Sequence, residues 1–535
     1  MKWLLLACVA LAPLAGAQSI KLNTVGYAPD AAKLAVVPRT AAASFSVVDA
    51  ASGQTVWRGP LQAAGVWDAS GEDLQLADFS AWRQPGRYRL QVAGLPASAP
   101  FVLQPRPYDA LYTAALKAFY YNRAGMAIAG PYARPAGHPD TEVRVHASAA
   151  SPGRPAGTLI SSPKGWYDAG DYNKYIVNSG IATYTLLAAH EHLRAPGVLE
   201  EARWNLDWML SMQDPADGGV YHKLTNLEFD GMVMPHQATT PRYVVQKSTA
   251  ATLDFAAVMA VASRVYPQPA SARMLQAARA AWAWAQAHPH QIYVQPADVK
   301  TGEYGDDQLR DEFAWAAAEL FITTGEPAFY RAIGLETLPA RVADWQDVSG
   351  LVYLSLSHHR RALAPPADVA RIEAGLEALA QSLLAQWRAS PYRISMRAGE
   401  FVWGSNAVLL NQAMTLLVAN AQRPHPDYVR AAQSALDYVL GRNALGRSLV
   451  TGQGWNPPRH PHHRPSQADG IADPVPGFVV GGPQPGQQDA AHCRQAYPSA
   501  LPALSYLDDV CSYASNEVAI NWNAPLVYVA AALNR

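Results

Sequence analysis

An excess of charge of either sign is what this chain most plainly lacks: 42 Lys and Arg stand against 43 Asp and Glu, and only 16% of its 535 residues are charged. Without a basic field nothing draws in a phosphate backbone, which sets nucleic acid aside as a partner. Cysteine is scarce as well, with three in all. No C-x-x-C, H-E-x-x-H or Walker pattern occurs, and this excludes a structural zinc ribbon, a zincin and a P-loop enzyme. Past the N-terminus no apolar run is long and uncharged enough to span a bilayer, so no membrane segment is expected in the mature chain.

The N-terminus itself is a different matter. Met1-Lys2, the apolar run from Trp3 to Leu14 and Ala15-Gly16-Ala17 before Gln18 have the charged start, short apolar stretch and small-residue cleavage site of a secretory signal peptide. Residues 1–17 are therefore expected to be removed after Ala17, delivering the protein to the periplasm or outside the cell. Cys8 leaves with them. In an oxidising compartment the remaining Cys493 and Cys511 are either bridged or two buried free thiols.

What the chain has in quantity is apolar surface, half of all residues, and rings, with 15 Trp and 25 Tyr. Such rings fill cores and also stack on sugar faces. From 18 to 104 the pattern is short and strand-like, at 33–38, 44–49, 54–57, 87–92 and 101–103, with turn signals such as Gln84-Pro85-Gly86 between; this predicts a small β-sandwich. After Pro105-Arg106-Pro107 the period changes. Helical spacing predicts helices over 108–123, 176–193, 197–212, 247–265, 272–287, 308–323, 366–389, 404–420, 426–440 and 517–533, without interspersed strands, so 105–535 is expected to be an all-α domain. The Pro-, Gly- and His-rich stretches 126–166, 213–245 and 452–500 are the loops expected to carry a site.

Three clusters bear on chemistry. Trp166-Tyr167-Asp168-Ala169-Gly170-Asp171-Tyr172 sets two carboxylates on one tight turn among rings. As turn residues they would only cap the following helix; as a pair they could grip one water, one accepting its proton and the other orienting it. Glu517 falls at the start of the last predicted helix, where the dipole favours its charged form. To serve as a proton donor it needs burial or a neighbouring carboxylate to raise its pKa, and Asp508 and Asp509 lie close before it. In Trp455-Asn456-Pro457-Pro458-Arg459-His460-Pro461-His462-His463-Arg464 the prolines hold the backbone extended. Alternation then sends His462 and Arg464 together into a cleft, to bond sugar hydroxyls, whereas three close His could also hold a metal.

Together these clusters resemble glycoside hydrolase family 9, the cellulase family with an (α/α)6 barrel and an inverting mechanism. The run Ser448 to Arg464 resembles the family's histidine signature, and Tyr506, Asp508, Tyr513, Glu517, Ala519 and Asn523-Ala524 its acidic one. Asn23-x-Val25-Gly26-Tyr27-x-Pro29 is similar to the immunoglobulin-like module that precedes many members' barrels. The resemblance implies that Asp171 is the general base, Asp168 its partner in holding water and Glu517 the general acid. It implies that His462, Arg464, Trp522, Trp166 and Tyr513 bind substrate, with Asp508 behind them. It implies no cofactor for the chemistry. Zinc is not expected, because Ala124 and Gly137 stand where zinc-bearing relatives have cysteines. Asp311, Glu312 and Asp347 resemble ligands of a structural calcium ion, with capping or surface acids as the alternative. The implied substrate is a β-1,4-glucan or cello-oligosaccharide, cut internally by a monomer. Exo-action on cellodextrins or glucosamine oligomers is the alternative within the family, and a non-catalytic glycan-binding protein the alternative outside it.

Overall fold

The computed structural model describes residues 19–534; the expected signal peptide and its cleavage point lie outside them. The N-terminal part is built from β1 (Leu34–Pro38), β2 (Ser44–Asp49), β3 (Thr55–Trp67), β4 (Glu72–Asp78), β5 (Gly86–Val92) and β6 (Phe101–Leu103), hydrogen-bonded in the order β1-β4-β3-β2-β5-β6. The length of β3 lets one strand pair with β2 at one end and β4 at the other, across register shifts in both pairings. Its core gathers Tyr27, Phe45, Phe79, Tyr88 and Phe101. Alternation sorts the other face: Ala35, Val37 and Ala77 point into this core, while Val36, Leu74 and Leu76 point into the core of the helical part.

That shared wall is polar as well as apolar. The buried Lys21 ammonium bonds Glu72 and the Tyr392 hydroxyl, Asn23 donates to Asp437 at 2.9 Å, and Trp67 packs against Tyr392 with ring centres 4.2 Å apart.

The helices are α1 (Asp109–Tyr121), α2 (Ile176–Leu193), α3 (Val198–Ser211), α4 (Thr249–Val265), α5 (Ala270–Ala287), α6 (Arg310–Thr324), α7 (Pro327–Ile333), α8 (Ser349–His359), α9 (Val369–Ala389), α10 (Ser405–Gln422), α11 (Pro426–Val439), α12 (Arg464–Ala468), α13 (Tyr513–Asn516) and α14 (Ile520–Leu533). Six of them pack in a closed ring, α2 on α4, α4 on α6, α6 on α8, α8 on α10, α10 on α14 and α14 back on α2. The others lie outside this ring: α3 on α2, α5 on α4, α7 on α6, α9 on α8, α11 on α10 and α1 on α14. Sequence divides the two sets. In α9 the buried side chains Ile372, Leu376, Ala380, Leu383 and Leu384 form one stripe, as an outer helix requires. Nearly every residue of α2 from Ile176 to Ala189 is buried.

The stretch 324–365, outside the helices named from the sequence, holds α7 and α8. Two expectations are corrected. The region after 105 does carry strands: β7 (Val143–Val145), β8 (Leu159–Ile160), β9 (Lys174–Tyr175), β10 (Lys223–Thr225) and β11 (Tyr243–Val244) form a second sheet. At two or three residues each they are too short to leave a period in the sequence. Finally, the last helix starts at Ile520, three residues later than expected, and Glu517 lies in extended backbone (φ −73°, ψ 162°). Among the described residues no helix is long and apolar enough to cross a membrane.

Candidate active site

Segments that lead into ring helices line a cleft of about 1090 Å3: Asp168 to Tyr175 before α2, Lys300 to Tyr304 before α6, Asp344 to Gln346 before α8, Val402 to Gly404 before α10, and Tyr513 to Ala519 before α14, together with Phe229, His462 and Arg464. The cleft thus sits over the N-terminal ends of these helices, with Trp345, Trp403, Tyr513 and Trp522 as walls. Trp403 and Tyr513 lie face to face at 5.5 Å and 33°.

The turn at Asp168–Asp171 is fixed by Gly170. A Cβ there would stand 2.0 Å from the His462 carbonyl oxygen, so only glycine lets the two strands approach. The contact is used on both sides. Gly170 N–H donates to Glu517 Oε1 at 3.3 Å, and Gly170 O accepts from Arg464 N–H at 3.1 Å and Arg464 Nη1 at 2.9 Å. One residue therefore joins the three clusters the sequence singles out.

Asp168 is buried and accepts from Asn178 Nδ2 at 2.6 Å and the Tyr304 hydroxyl at 2.7 Å. Burial, and then Asp171, push its pKa from 3.8 up to about 7. That is a shift worth ~4 kcal/mol, against ~0.3–1 kcal/mol for a helix N-terminus favouring the charged form, so burial and repulsion win. Asp171 accepts from Asn173 Nδ2 at 2.5 Å and from the Tyr175 hydroxyl at 3.4 Å. Glu517 opens its tip to the cleft but is hemmed in by protein; this burial, then Asp171, hold its carboxyl well above the usual range, with Arg464 opposing. The repulsion comes from Asp171, not from Asp508 or Asp509. Asp508 accepts from the backbone N–H of Arg459 and His460 and pairs with Arg447 at 2.6 Å, pinning the strand that leads to His462.

His462 donates from Nδ1 to Val510 O at 2.6 Å, leaving Nε2 as an acceptor on the cleft side, while the adjacent His463 is buried against Ser466 and Asn122. The side chains of 462 and 463 thus part as the extended backbone requires. Arg464 also donates from Nε to Asp230 O at 2.8 Å, and its guanidinium lies 5.6 Å from the Phe229 ring centre.

Trp166 is corrected: it is wholly buried, donates to Glu201 at 2.8 Å and packs on Phe119. Tyr167 and Tyr172 are likewise core, beside His138, whose Nδ1 bonds the Tyr167 hydroxyl. The cation trio is also corrected. Asp347 pairs with Arg341 at 3.0 Å and Asp311 accepts from Val348 N–H at 2.7 Å, and among the described residues no three such side chains converge as a metal cluster. Asp311 and Glu312 instead crowd Asp254 and Asp306: burial raises all four, repulsion within the group adds to it at Asp254 and Glu312, and a hydrogen bond with Glu312 opposes it at Asp306 and Asp311. Cys493 and Cys511 form a disulfide, Cα to Cα 5.2 Å.

Sequence reasoning missed Tyr304, Asn178, Asn173, Trp345 and Trp403. Gly302-Glu303-Tyr304-Gly305 is the one trace Tyr304 leaves, a tyrosine between glycines in a loop.

Buried acids gathered at one end of a helical ring, in a cleft walled with rings, define a glycoside hydrolase. The model of glycosyl hydrolase family 9 matches residues 108–530, and that of the cellulase N-terminal ig-like domain matches 15–97. The chain belongs to glycosyl hydrolase family 9. It is 43% identical to a xyloglucan-specific endo-beta-1,4-glucanase of Bacteroides ovatus, over 99% of this chain and 96% of that one. It is 33% identical to endoglucanase D of Acetivibrio thermocellus, over 96% and 83%. A solved Bacteroides ovatus GH9 structure superposes with a TM-score of 0.88 at 41% identity, covering 96% of this chain and 98% of that one.

Proposed function

We propose that this chain is a secreted endo-β-1,4-glucanase that hydrolyses its substrate with inversion. Asp171 takes the proton of the attacking water, Asp168 orients that water, and Glu517 protonates the leaving oxygen. The observation that supports this best is the raised proton affinity of Glu517, held against the backbone of the very turn that bears the two aspartates. A donor must keep its proton near neutral pH, and burial beside Asp171 raises the Glu517 pKa in that direction. His462 and Arg464 grip the sugar beside the scissile bond, and Trp403, Tyr513 and Trp522 stack on its neighbours. We read the two sets of helices as an (α/α)6 barrel, and residues 18–104 as a separate module that buttresses it.

The named activities of the relatives support a backbone of β-1,4-linked glucose, and xyloglucan as a branched form of it. Parallel assays on xyloglucan, carboxymethyl cellulose and cello-oligosaccharides test this. Rapid viscosity loss at low reducing-end release is expected, and steady release of one short product would favour the exo-acting or glucosamine-directed alternative. The first product anomer by NMR should be α; early β product refutes inversion. Glu517→Gln and Asp171→Asn should each lower kcat by roughly 102-fold or more with the fold intact.

A further inference from the structure

Lys223 is a buried lysine that none of the catalytic clusters contains. It lies in β10, wholly inaccessible, its ammonium 5.5 Å from the Tyr175 ring centre and 5.7 Å from that of Tyr293. It donates to Gln295 Oε1 at 3.0 Å, Thr301 Oγ1 at 3.1 Å and Gly302 O at 2.5 Å. These three bonds match its three protons. All three acceptors are neutral, and a neutral side chain could tie down the same loop without the penalty of burying a charge. Burial lowers its pKa to about 7, and the carboxylates that oppose this across space are Asp171 first and Glu303 second.

The segment it binds runs straight into the cleft wall. Two residues beyond Gly302 stands Tyr304, whose hydroxyl bonds Asp168 and whose backbone adopts φ +48°, a left-handed conformation that a bulky residue keeps only when its surroundings impose it. Gly302 presses on the Tyr175 hydroxyl, 3.0 Å from where its Cβ would be, and that hydroxyl bonds Asp171. A second path leaves the same strand: Thr225 bonds both Thr301 and Asn173, and Asn173 bonds Asp171. Both of these routes from Lys223 end on one of the paired aspartates.

We propose that Lys223 is a positioning residue of the hydrolysis: its buried ammonium clamps the 295–304 segment so that Tyr304 and Tyr175 hold Asp168 and Asp171, and its charge offsets the gathering of three carboxylates. The groups that face Asp171 are Asp168 and Asn173 on its own turn, Tyr175, Lys223 from β10, Asp230 from the 226–240 loop, His462, and Glu517. Arg464 grips the backbone of that turn. Lys223 is the cation among them, and it does not line the cleft.

The inference rests on the assignment of Asp171 and Asp168 as the water-activating pair, and its test separates the two. In Lys223→Met, kcat on cello-oligosaccharides should fall roughly 10- to 100-fold, through misplacement of the pair, while KM stays within about threefold. The acid limb of kcat/KM against pH should move to higher pH, because a cation facing the gathered carboxylates is gone. A purely structural lysine would lower the melting temperature and leave that limb in place. Should Lys223→Met not fold, Lys223→Ala assayed with added ethylammonium, against ethanol or propanol, answers the same question: recovery with the cation alone is expected. Equal recovery with the alcohol, or a wild-type acid limb in Lys223→Met, overturns the proposal. If Asp171→Asn is itself near normal, the site assignment falls; if Asp171→Asn is inactive and Lys223→Met is normal, only the role of Lys223 does.

Discussion

Replacing Gly170 by alanine tests the geometry of the site more sharply than removing any carboxylate. The new methyl would meet the His462 carbonyl oxygen at 2.0 Å. An ordinary carbon–oxygen contact needs ~3.3 Å or more, so the turn and the facing strand must part by about 1 Å. Neither wall can yield by a rotamer change, because the obstacle is backbone. The bonds from Gly170 N–H to Glu517 and from Arg464 to Gly170 O cross that gap and must lengthen with it. Overpacking of this kind costs about 1–3 kcal/mol, a few degrees of melting temperature in a chain of this size. The catalytic cost is larger, since a displacement of about 1 Å between reacting groups lowers rates by roughly 102-fold. Steady-state kinetics on cello-oligosaccharides, with thermal melts followed by circular dichroism, separate the two effects. Gly153→Ala, at a position with open space around it, is the control and should change neither. A Gly170→Ala enzyme with kcat within twofold of wild type would show that the three clusters need not touch for turnover.

Asn23→Ala removes a donor to the buried Asp437 carboxyl, whose pKa burial raises to about 6; a loss of about 1–3 kcal/mol is expected, read as a lower melting temperature at unchanged kcat. At the C-terminal ends of α2 and α8, far from the cleft, His192 and His358 stack with ring centres 4.0 Å apart. Burial, and then each other or His359, lower both, His358 to about 4. The unfolded chain therefore binds those protons more readily: no stability is lost above pH 6.5, and loss grows as pH falls from 6.5 towards 4, up to ~3 kcal/mol for His358 before solvent screening at its open edge. Melting temperature against pH should fall over that window, and His358→Asn should flatten the fall; Glu191, Arg264 and His359 face the pair and must be left in place. If Glu517 is the proton donor, its raised pKa should carry the alkaline fall of kcat/KM to higher pH than an ordinary carboxyl would give, and Glu517→Gln should remove that limb with the activity.

The outer helices other than the seven-residue α7 were legible because one face of each is polar. In α9 and α11 a stripe of apolar residues repeats at helical spacing. The ring helix α8 hides in the same reading: Leu351, Val352, Tyr353, Leu354 and Leu356 are all buried, so no face stands out. Strand β4 fails for a related reason, as Leu74, Gln75, Leu76 and Ala77 are buried on both sides and lose the alternation that marks a half-exposed strand. In the site, Asp168, Asp171, Glu517, His462 and Arg464 could be named because motifs fix them relative to their neighbours. The rings could not be sorted. Trp166 and Trp403 are alike in sequence, and only tertiary packing sends one to the core and the other to the cleft. Tyr304 and Lys223 lie in segments without a motif, and their roles exist only once β10 and the 295–304 segment meet.

The hydrogen bond between Gly170 and Glu517 spans 347 residues, and the strand that His462 shares with Glu517 closes beside it. A ribosome therefore cannot complete the site until it has made Glu517, 347 residues after Gly170. Until α14 docks between α2 and α10, the nascent protein holds its two aspartates without their acid. A chain cut short before Glu517 would keep the two aspartates and lack the carboxyl that faces them, however well its earlier helices had packed.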